Sequence, residues 1–225
     1  MDLLELLDKR KHVYKFNDQV PPKDLIEDLL YKAWKVTPSK NNFMPYHVNV
    51  LGPDQKELKK EVHALSMFNK KRTNERANVN NITNFTEEGQ NPNFTFYESV
   101  PYLLIFSQRV AEPNTYIAEA IVDMNDIYEQ MHEDMFGQIQ TTTCVEIGIF
   151  KANLTAFALE QGLDTTCIKC YPAEIEAWEK FPFLEGPVML IVGIGYSAKS
   201  RKDIMTEEQI LKDPKPEPET IIKWI

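Results

Sequence analysis

Glycine is scarce in this sequence. Only eight of the 225 residues are glycine, about half of the ~7% that is usual in globular proteins. A Walker phosphate loop is absent, and Gly193-Ile194-Gly195 is followed by Tyr-Ser-Ala-Lys instead of the third glycine of a dinucleotide-binding turn. A phosphorylated ligand would therefore be held mainly by side chains, because no glycine-lined loop is present to hold it.

Basic charge and long apolar runs are also missing. The chain has 25 lysines and arginines against 34 aspartates and glutamates, a net charge of −9, which excludes nucleic acid as the main partner. No apolar run approaches the roughly 18 residues of a membrane-spanning helix, and acidic residues interrupt the apolar N-terminus, so neither a membrane partner nor a signal peptide is predicted. With only three cysteines, we expect a cytoplasmic protein without a disulfide framework.

Aromatic residues are plentiful, with 12 Phe, 9 Tyr and 3 Trp, and they supply material for a folded core. Apolar periodicity predicts helices that alternate with strands along a single domain over residues 1–225. This alternation indicates an α+β or α/β sandwich built on one sheet. The predicted helices are 3–7, 22–37, 53–65, 117–131, 145–158 and 174–179, and the predicted strands are 47–51, 100–107, 165–170 and 187–193.

Two stretches lack this periodicity. Residues 69–95 contain eight asparagines and are predicted to form an irregular loop, either functional or disordered. The C-terminal extension, residues 203–225, has a capping box at Thr206 to Gln209 and then prolines at 214, 216 and 218 that predict an extended chain with an apolar end. That end either pairs with the sheet edge of a second subunit or packs on its own domain.

Two basic segments stand out in this acidic chain. The first is Arg10-Lys11-His12-Val13-Tyr14-Lys15-Phe16, and the second is Lys199-Ser200-Arg201-Lys202. A guanidinium group suits bidentate contact with phosphate, so the first segment is either an anion-binding site or the solvated basic end of the first helix. The second segment is likewise either an anion-binding site or an exposed basic surface.

Two further motifs have alternative interpretations. Residues 38–46, Pro-Ser-Lys-Asn-Asn-Phe-Met-Pro-Tyr, join a helix to a strand and form either a ligand-binding loop or a polar turn. Cys167-Ile168-Lys169-Cys170 is a CxxC motif of the kind found in redox pairs and zinc sites. No second CxxC is present and the four histidines are far apart, which favours two thiols at the end of a strand.

Taken in order, these segments resemble the FMN-dependent nitroreductase family over most of the chain. Residues 10–16 occupy the place of the family motif RRSxRxF, and residues 38–46 follow its motif PSxxNxQPW. The helix over 148–163 is similar to the family's buried central helix, which leads into the stretch beside the flavin. The strand Val188 to Tyr196, with Lys199 and Arg201 after it, matches the closing motif.

The resemblance implies a three-layer α+β sandwich with one mostly antiparallel sheet flanked by helices. It also implies a homodimer in which the C-terminal extension is exchanged and in which FMN lies, without covalent attachment, at the interface. By the same resemblance, Arg10, Lys199 and Arg201 would bind the FMN phosphate, and Ser39 and Asn42 would contact the ribityl chain or the ring edge. The other implied cofactor-binding positions are Lys11, His12, Tyr14, Pro38, Asn74 beside the ring, and the backbone of Lys169 and Cys170 beside N5.

The sequence departs from the family pattern at several of these positions. His12 stands where the family has Ser, and Tyr14 where it has Arg or Lys. That cation helps to hold negative charge on the reduced flavin, so its loss would lower the reduction potential unless Lys15, His12 or a loop lysine substitutes. Met44 replaces Gln, and Lys169-Cys170 replaces an acidic-Gly pair.

The activity that the resemblance implies is an NADH- or NADPH-dependent oxidoreductase. Hydride would pass through flavin N5 to a small electron-poor acceptor such as a nitroaromatic or a quinone. Because the cofactor carries the chemistry, no catalytic side chain is required. The alternatives are a non-catalytic flavin-binding or storage protein and a specialised reductive or flavin-cleaving relative on the same fold.

Overall fold

Residues 2–36 fold as their apolar spacing predicts, with one strand added. The structure, a computed structural model, describes residues 2–39, 42–66, 97–109, 125–168, 171, 175–200, 203 and 215–224. Helix α1 spans Leu3–Asp8, strand β1 spans Val13–Phe16, and helix α2 spans Lys23–Val36 directly after two prolines. Proline suits this position because the first residues of a helix have no intrahelical use for their N–H groups.

The remaining elements alternate between strand and helix. In chain order they are β2 (Tyr46–Leu51), α3 (Lys56–Ser66), β3 (Tyr102–Gln108), α4 (Asn125–Glu160), β4 (Asp164–Ile168), β5 (Val188–Gly195), β6 (Ser197–Ser200) and α5 (Pro218–Ile221). Short 3₁₀ helices cover Tyr97–Ser99 and Ile175–Trp178. Strands β2, β3, β5 and β4 form, in that order, a sheet in which every pairing is antiparallel, while β1 pairs with β6 in a separate two-stranded ribbon.

Both faces of the four-stranded sheet are covered, as the alternation along β3 shows. Tyr102, Leu104 and Phe106 pack with α2 and α4 on one face, and Leu103 and Ile105 pack on the other. That second cluster contains residues of β1, α3 and the 3₁₀ helix at Ile175–Trp178. Successive side chains of a strand point to opposite faces, so the sheet is the middle of three layers. The predicted α+β sandwich with an antiparallel sheet and flanking helices is confirmed.

Glycines on β5 allow β1 to lie close to the sheet. A Cβ at Gly193 would lie 3.2 Å from Phe16 Cε2, and a Cβ at Gly195 would lie 3.1 Å from Phe16 Cδ1 and 2.7 Å from Pro101 Cγ. Both glycines and Phe16 are buried. The Gly-Ile-Gly sequence therefore provides the space in which the Phe16 ring packs.

Several predicted elements differ from the observed ones. Strands β1 and β6 are not among the predicted elements, and the basic segment after α1 lies beyond that helix, which ends at Asp8. One continuous helix, α4, contains the second predicted helical pattern and the end of the first. The prediction of a fully extended C-terminal tail is wrong, because Pro218–Ile221 form a helical turn that a proline at its start favours.

Some predictions fall outside the described residues. These are the irregular loop over 69–95, the capping box at Thr206 to Gln209 and most of the first helical pattern over 117–131. Within the described part of the chain, no helix is both long and apolar enough to cross a membrane.

Candidate functional site

The two basic segments are far apart in the sequence, yet they meet in the ribbon formed by β1 and β6. The antiparallel register places Lys15 opposite Lys199 and Val13 opposite Ser200. The register shifts on both sides of this lysine pair, between Val13 and Lys15 and between Lys15 and Phe16, so the ribbon is irregular where the two lysines meet. Lys15 is exposed and Lys199 half-buried, so this ribbon presents paired positive charge at one place on an acidic protein.

A carboxylate fixes the end of the ribbon. Asp203 Oδ2 accepts hydrogen bonds from the backbone N–H and from the hydroxyl of Ser200, each 2.6 Å long. These two bonds hold the pKa of Asp203 below its ordinary value, and the charges of Lys11 and Lys199 act in the same direction. Asp203 is therefore ionised at neutral pH and partly balances the cations around it.

A second carboxylate faces Lys11 from the main sheet. Asp164 is the first residue of β4 and is buried. Burial raises the pKa of its carboxyl, while the nearby charge of Lys11 opposes that rise. Lys11 thus interacts electrostatically with both Asp164 and Asp203. Arg10, Lys11 and His12 are all exposed.

The C-terminal end of helix α4 determines where Asp164 lies. Gly162 has φ of +71°, the left-handed conformation in which a glycine commonly terminates a helix. Leu163 N–H donates to Ala158 O at 2.8 Å and Gly162 N–H donates to Leu159 O at 3.1 Å. The chain turns sharply there and enters β4 directly, with Thr155 and Thr165 hydroxyls 3.0 Å apart across the turn.

The described residues between α2 and β2, 38–39 and 42–45, form a turn held by short hydrogen bonds, which we call the turn after α2. Ser39 Oγ accepts a 2.8 Å hydrogen bond from Met44 N–H, and Ser39 O accepts one of 3.1 Å from Asn42 N–H. Asn42 and Met44 have φ of 56° and 45°, a left-handed conformation that costs energy for residues other than glycine. Asparagine adopts this conformation readily in turns, whereas for Met44 it is rare.

The turn is anchored at both ends. At its start, Asn153 Nδ2 of α4 donates to Thr37 Oγ1 at 3.1 Å, and that hydroxyl donates to Ala33 O at 2.6 Å. At its end, the Tyr46 hydroxyl donates to Met44 Sδ at 3.2 Å. Burial raises the pKa of Tyr46 well above its ordinary value, and Glu146 adds to the rise, so Tyr46 stays protonated and remains a donor.

Arg109, directly after β3, also bonds to this turn. Its Nη2 donates to Phe43 O at 2.7 Å and its Nε donates to Met44 O at 2.8 Å. Its backbone N–H donates to Pro45 O at 3.2 Å.

The predicted site residues fall into three groups. Arg10, Lys11, His12 and Lys199 lie on or beside the ribbon, where the backbone of Tyr14 also lies within β1. Pro38, Ser39 and Asn42 belong to the turn after α2. Asn74, Lys169, Cys170 and Arg201 lie outside the described residues, as does the side chain of Tyr14.

Three residues of these two regions were missed by sequence reasoning: Asp164, Asp203 and Arg109. Asp164 and Arg109 each stand at the start or just after the end of a strand without a motif around them, whereas Asp203 directly follows the basic segment 199–202. Cys167, the part of the CxxC motif within the described residues, is half-buried in β4. Across the described ranges, no group of three or more His, Cys, Asp or Glu residues could hold a metal ion.

Comparison with known proteins identifies the family of this chain. The sequence matches the description of the nitroreductase family over residues 7–196, which include β1, the turn after α2, α4 and β5. The chain belongs to the nitroreductase family. Nitroreductase membership confirms the resemblance drawn from the motifs and the α+β fold class, and indicates an oxidoreductase. A search among curated proteins finds no match.

Solved structures share the nitroreductase fold at low sequence identity. A nitroreductase family protein of Streptococcus pneumoniae is 15% identical, with all of both chains covered and a TM-score of 0.65. A Staphylococcus epidermidis protein named an NAD(P)H:FMN oxidoreductase is 16% identical over 100% of this chain and 96% of that one, with a TM-score of 0.62. Iodotyrosine deiodinase bound to FMN and 3-iodo-L-tyrosine is 18% identical over 89% and 92%, with a TM-score of 0.58.

Proposed function

We propose that the chain is an FMN-dependent oxidoreductase that binds the FMN phosphate at the ribbon of β1 and β6. The observation that carries this proposal is the register that sets Lys15 opposite Lys199. Two cations brought together on an acidic protein can both contact one anion, and a phosphate group accepts such charge-assisted hydrogen bonds well. Iodotyrosine deiodinase, which shares the fold, binds FMN.

The residues around the ribbon fit a phosphate group. Arg10 offers a guanidinium that can contact two phosphate oxygens, and Lys199 offers a point charge. Glycine-rich phosphate loops are absent from the sequence, so these cations would supply the attraction. Asp203 and Asp164 would limit the net positive charge and hold Lys11 in place, because both act on it electrostatically.

The turn after α2 fits the neutral part of the same ligand. Ser39 Oγ uses a lone pair to accept from Met44 N–H, which leaves the hydroxyl hydrogen to donate, since a hydroxyl is both donor and acceptor. Asn42 adds an amide with two donors and one acceptor oxygen. We propose that these two side chains bind the ribityl chain or ring edge.

When bound, FMN supplies hydride transfer between a nicotinamide and an electron-poor acceptor. The chain's own residues would bind and orient the flavin and exclude water around it. We propose NADH or NADPH as the reductant, which the name of the Staphylococcus epidermidis relative supports. A nitroaromatic or a quinone is the proposed class of acceptor.

Steady-state oxidation of NADH and NADPH tests this activity. Purified protein with FMN should oxidise one of them in the presence of a quinone or a nitroaromatic, faster than the same concentration of free FMN does. Turnover no faster than free FMN, with the flavin still retained, would instead support a flavin-storage protein. Product analysis under oxygen separates a general reductase from a specialised reductive or flavin-cleaving enzyme.

We also propose that the protein is a homodimer with an exchanged C-terminal extension. Residues 215–224 are exposed throughout, and Trp224 at their apolar end is 97% exposed. A second exposed apolar patch lies on α2, where the ring centroids of Tyr31 and Trp34 are 5.5 Å apart. Contiguous exposed apolar residues mark interaction surfaces, and the tail's exposure favours exchange over packing on its own domain.

A further inference from the structure

Arg109 bonds to three consecutive carbonyl groups of the turn after α2. Its Nη2, Nε and backbone N–H donate to the carbonyl oxygens of Phe43, Met44 and Pro45, respectively, at 2.7, 2.8 and 3.2 Å. The backbone bond continues the antiparallel pairing of Tyr46 with Gln108 by one residue. The planar guanidinium then reaches two carbonyls at once, a geometry that its fixed fork of donors allows and that a lysine ammonium cannot match.

The shape that these bonds hold is one that the chain would not adopt unaided. Asn42 and Met44, with φ of 56° and 45°, are both left-handed. Such residues persist only where the surrounding structure holds them, and they concentrate at ligand sites. The described bonds to the last three residues of the turn come from Arg109, from Ser39 and from Tyr46.

Met44 connects Arg109 to Ser39. Its carbonyl oxygen accepts from Arg109 Nε, while its N–H donates to Ser39 Oγ at 2.8 Å. If Met44 moves, the bond that orients the Ser39 hydroxyl is lost. A continuous chain of contacts therefore joins Arg109 to a hydroxyl that lies five residues before Met44 in the chain.

We propose that Arg109 is a positioning residue for flavin binding, acting through Met44 on Ser39 and through the shape of the turn on Asn42. The inference rests on the proposed function, because it assumes that this turn meets the flavin. It adds a residue to that site from outside the two family motifs at residues 10–16 and 38–46.

The test uses the full-length protein and two ligands, FMN and riboflavin, which share the ring and the ribityl chain and differ in the phosphate. Flavin-fluorescence quenching gives Kd for the wild-type protein and for Arg109→Ala, Arg109→Lys, Ser39→Ala and the double variant Arg109→Ala/Ser39→Ala. Lys32→Ala serves as the control, since Lys32 only makes a surface ion pair with Asp28. Visible circular dichroism of the bound flavin reports its surroundings independently of affinity.

Arg109→Ala should raise Kd for FMN and for riboflavin by the same factor, about tenfold, the value that one lost charged hydrogen bond gives. Its circular dichroism should change, and Arg109→Lys should recover only part of the affinity. The double variant should bind no more weakly than the weaker of the two single variants, because residues that act in one chain of contacts have non-additive effects. Lys32→Ala should match the wild type.

Multiplicative effects of Arg109→Ala and Ser39→Ala in the double variant would overturn the inference. So would unchanged Kd values and spectra in both Arg109 variants, and a loss that affects FMN alone would show that Arg109 serves the phosphate instead. If Arg109→Ala does not fold, Arg109→Lys decides by the same criteria. A wild-type protein that binds neither flavin would refute both the proposed function and this inference. A wild-type protein that binds flavin, with Kd values unchanged in the Arg109 variants, would refute the inference alone.

Discussion

Lys15 lies directly opposite Lys199 where β1 pairs with β6. Two like charges at such positions destabilise an antiparallel pair by up to about 1 kcal/mol. An anion bound beside them would remove the repulsion, so the ribbon should be less stable in the free protein than with a phosphate bound. The first prediction tests whether phosphate binding and the free energy of unfolding are coupled through Lys15.

Lys15→Gln should raise the free energy of unfolding of the flavin-free protein slightly, by up to about 1 kcal/mol. The same change should reduce the stabilisation that inorganic phosphate gives, because a ligand stabilises only according to its affinity for the folded state. Urea unfolding with and without phosphate measures both effects, with Lys32→Gln as the surface control. Equal stabilisation of wild type and Lys15→Gln by phosphate would contradict the prediction.

The contact between Phe16 and the two glycines of β5 gives a second prediction. Gly195→Ala should lower the free energy of unfolding by about 1–3 kcal/mol, as overpacking of a core does, because the new Cβ would lie 2.7 Å from Pro101 Cγ. Gly148→Ala is the matched control: a Cβ there meets no atom within 4 Å, and the residue lies in α4. It should stabilise by about 0.5–1 kcal/mol, the gain of Ala over Gly in a helix. Chemical denaturation that ranks the two variants the other way would disprove the packing account.

Helices and long strands could be predicted from the sequence, whereas β1 and β6 could not. Helix α2 and strand β3 have a strong apolar period, which reports a face or core that is buried along the whole element. Strands β1 and β6 have four residues each and carry lysines, and their pairing joins Val13 to Ser200. No local pattern encodes a pairing between such distant residues.

The candidate site was also only partly predictable, because contacts between distant residues leave no local pattern in the sequence. The motif residues Arg10, Ser39, Asn42 and Lys199 were identified because they stand in recognisable order. Arg109 was not identified, since its role depends on contacts with Phe43 and Met44 more than 60 residues earlier. The Gly193-Ile194-Gly195 sequence was correctly excluded as a dinucleotide turn, but only the structure reveals that it provides space for Phe16.

Lys59 gives a third prediction, on pH. Its side chain is 0% exposed, and Nζ donates to Val100 O at 2.7 Å and Pro101 O at 3.1 Å. Burial lowers the pKa of Lys59 from 10.5 to about 8; Lys56 adds to the decrease and Asp54 opposes it. Between these two values the unfolded chain keeps a proton that the folded protein releases, so this group makes the protein more stable as pH rises through the window.

Lys59→Met removes this dependence. The variant should be less stable than the wild type, because Val100 O and Pro101 O lose a buried donor. The difference in the free energy of unfolding should widen by about 2 kcal/mol between pH 8 and pH 10. Urea titrations of both proteins across that range measure it. Parallel pH profiles would show that the Lys59 amine is not the titrating group.

The exposed tail gives a fourth prediction. Deleting residues 214–225 should weaken dimerisation, since it removes Ile221, Ile222 and Trp224, whose exposed apolar surface is proposed to be covered by the partner. Sedimentation equilibrium gives the dissociation constant of the dimer. Trp224→Ala should lower dimer affinity in the same direction and by less. A truncated protein that dimerises as tightly as the full chain would show that the tail has no role in assembly.

We propose that cations on and beside β1 and β6, Arg10 and Lys199 among them, hold the phosphate of FMN. Comparing the binding of FMN with that of riboflavin tests this proposal most directly. We expect the wild-type protein to bind FMN at least about tenfold more tightly than riboflavin, since the phosphate adds a charged contact. Arg10→Glu should abolish that preference by weakening FMN alone. A wild-type protein that binds neither flavin, or that binds riboflavin as tightly as FMN, would contradict the claim.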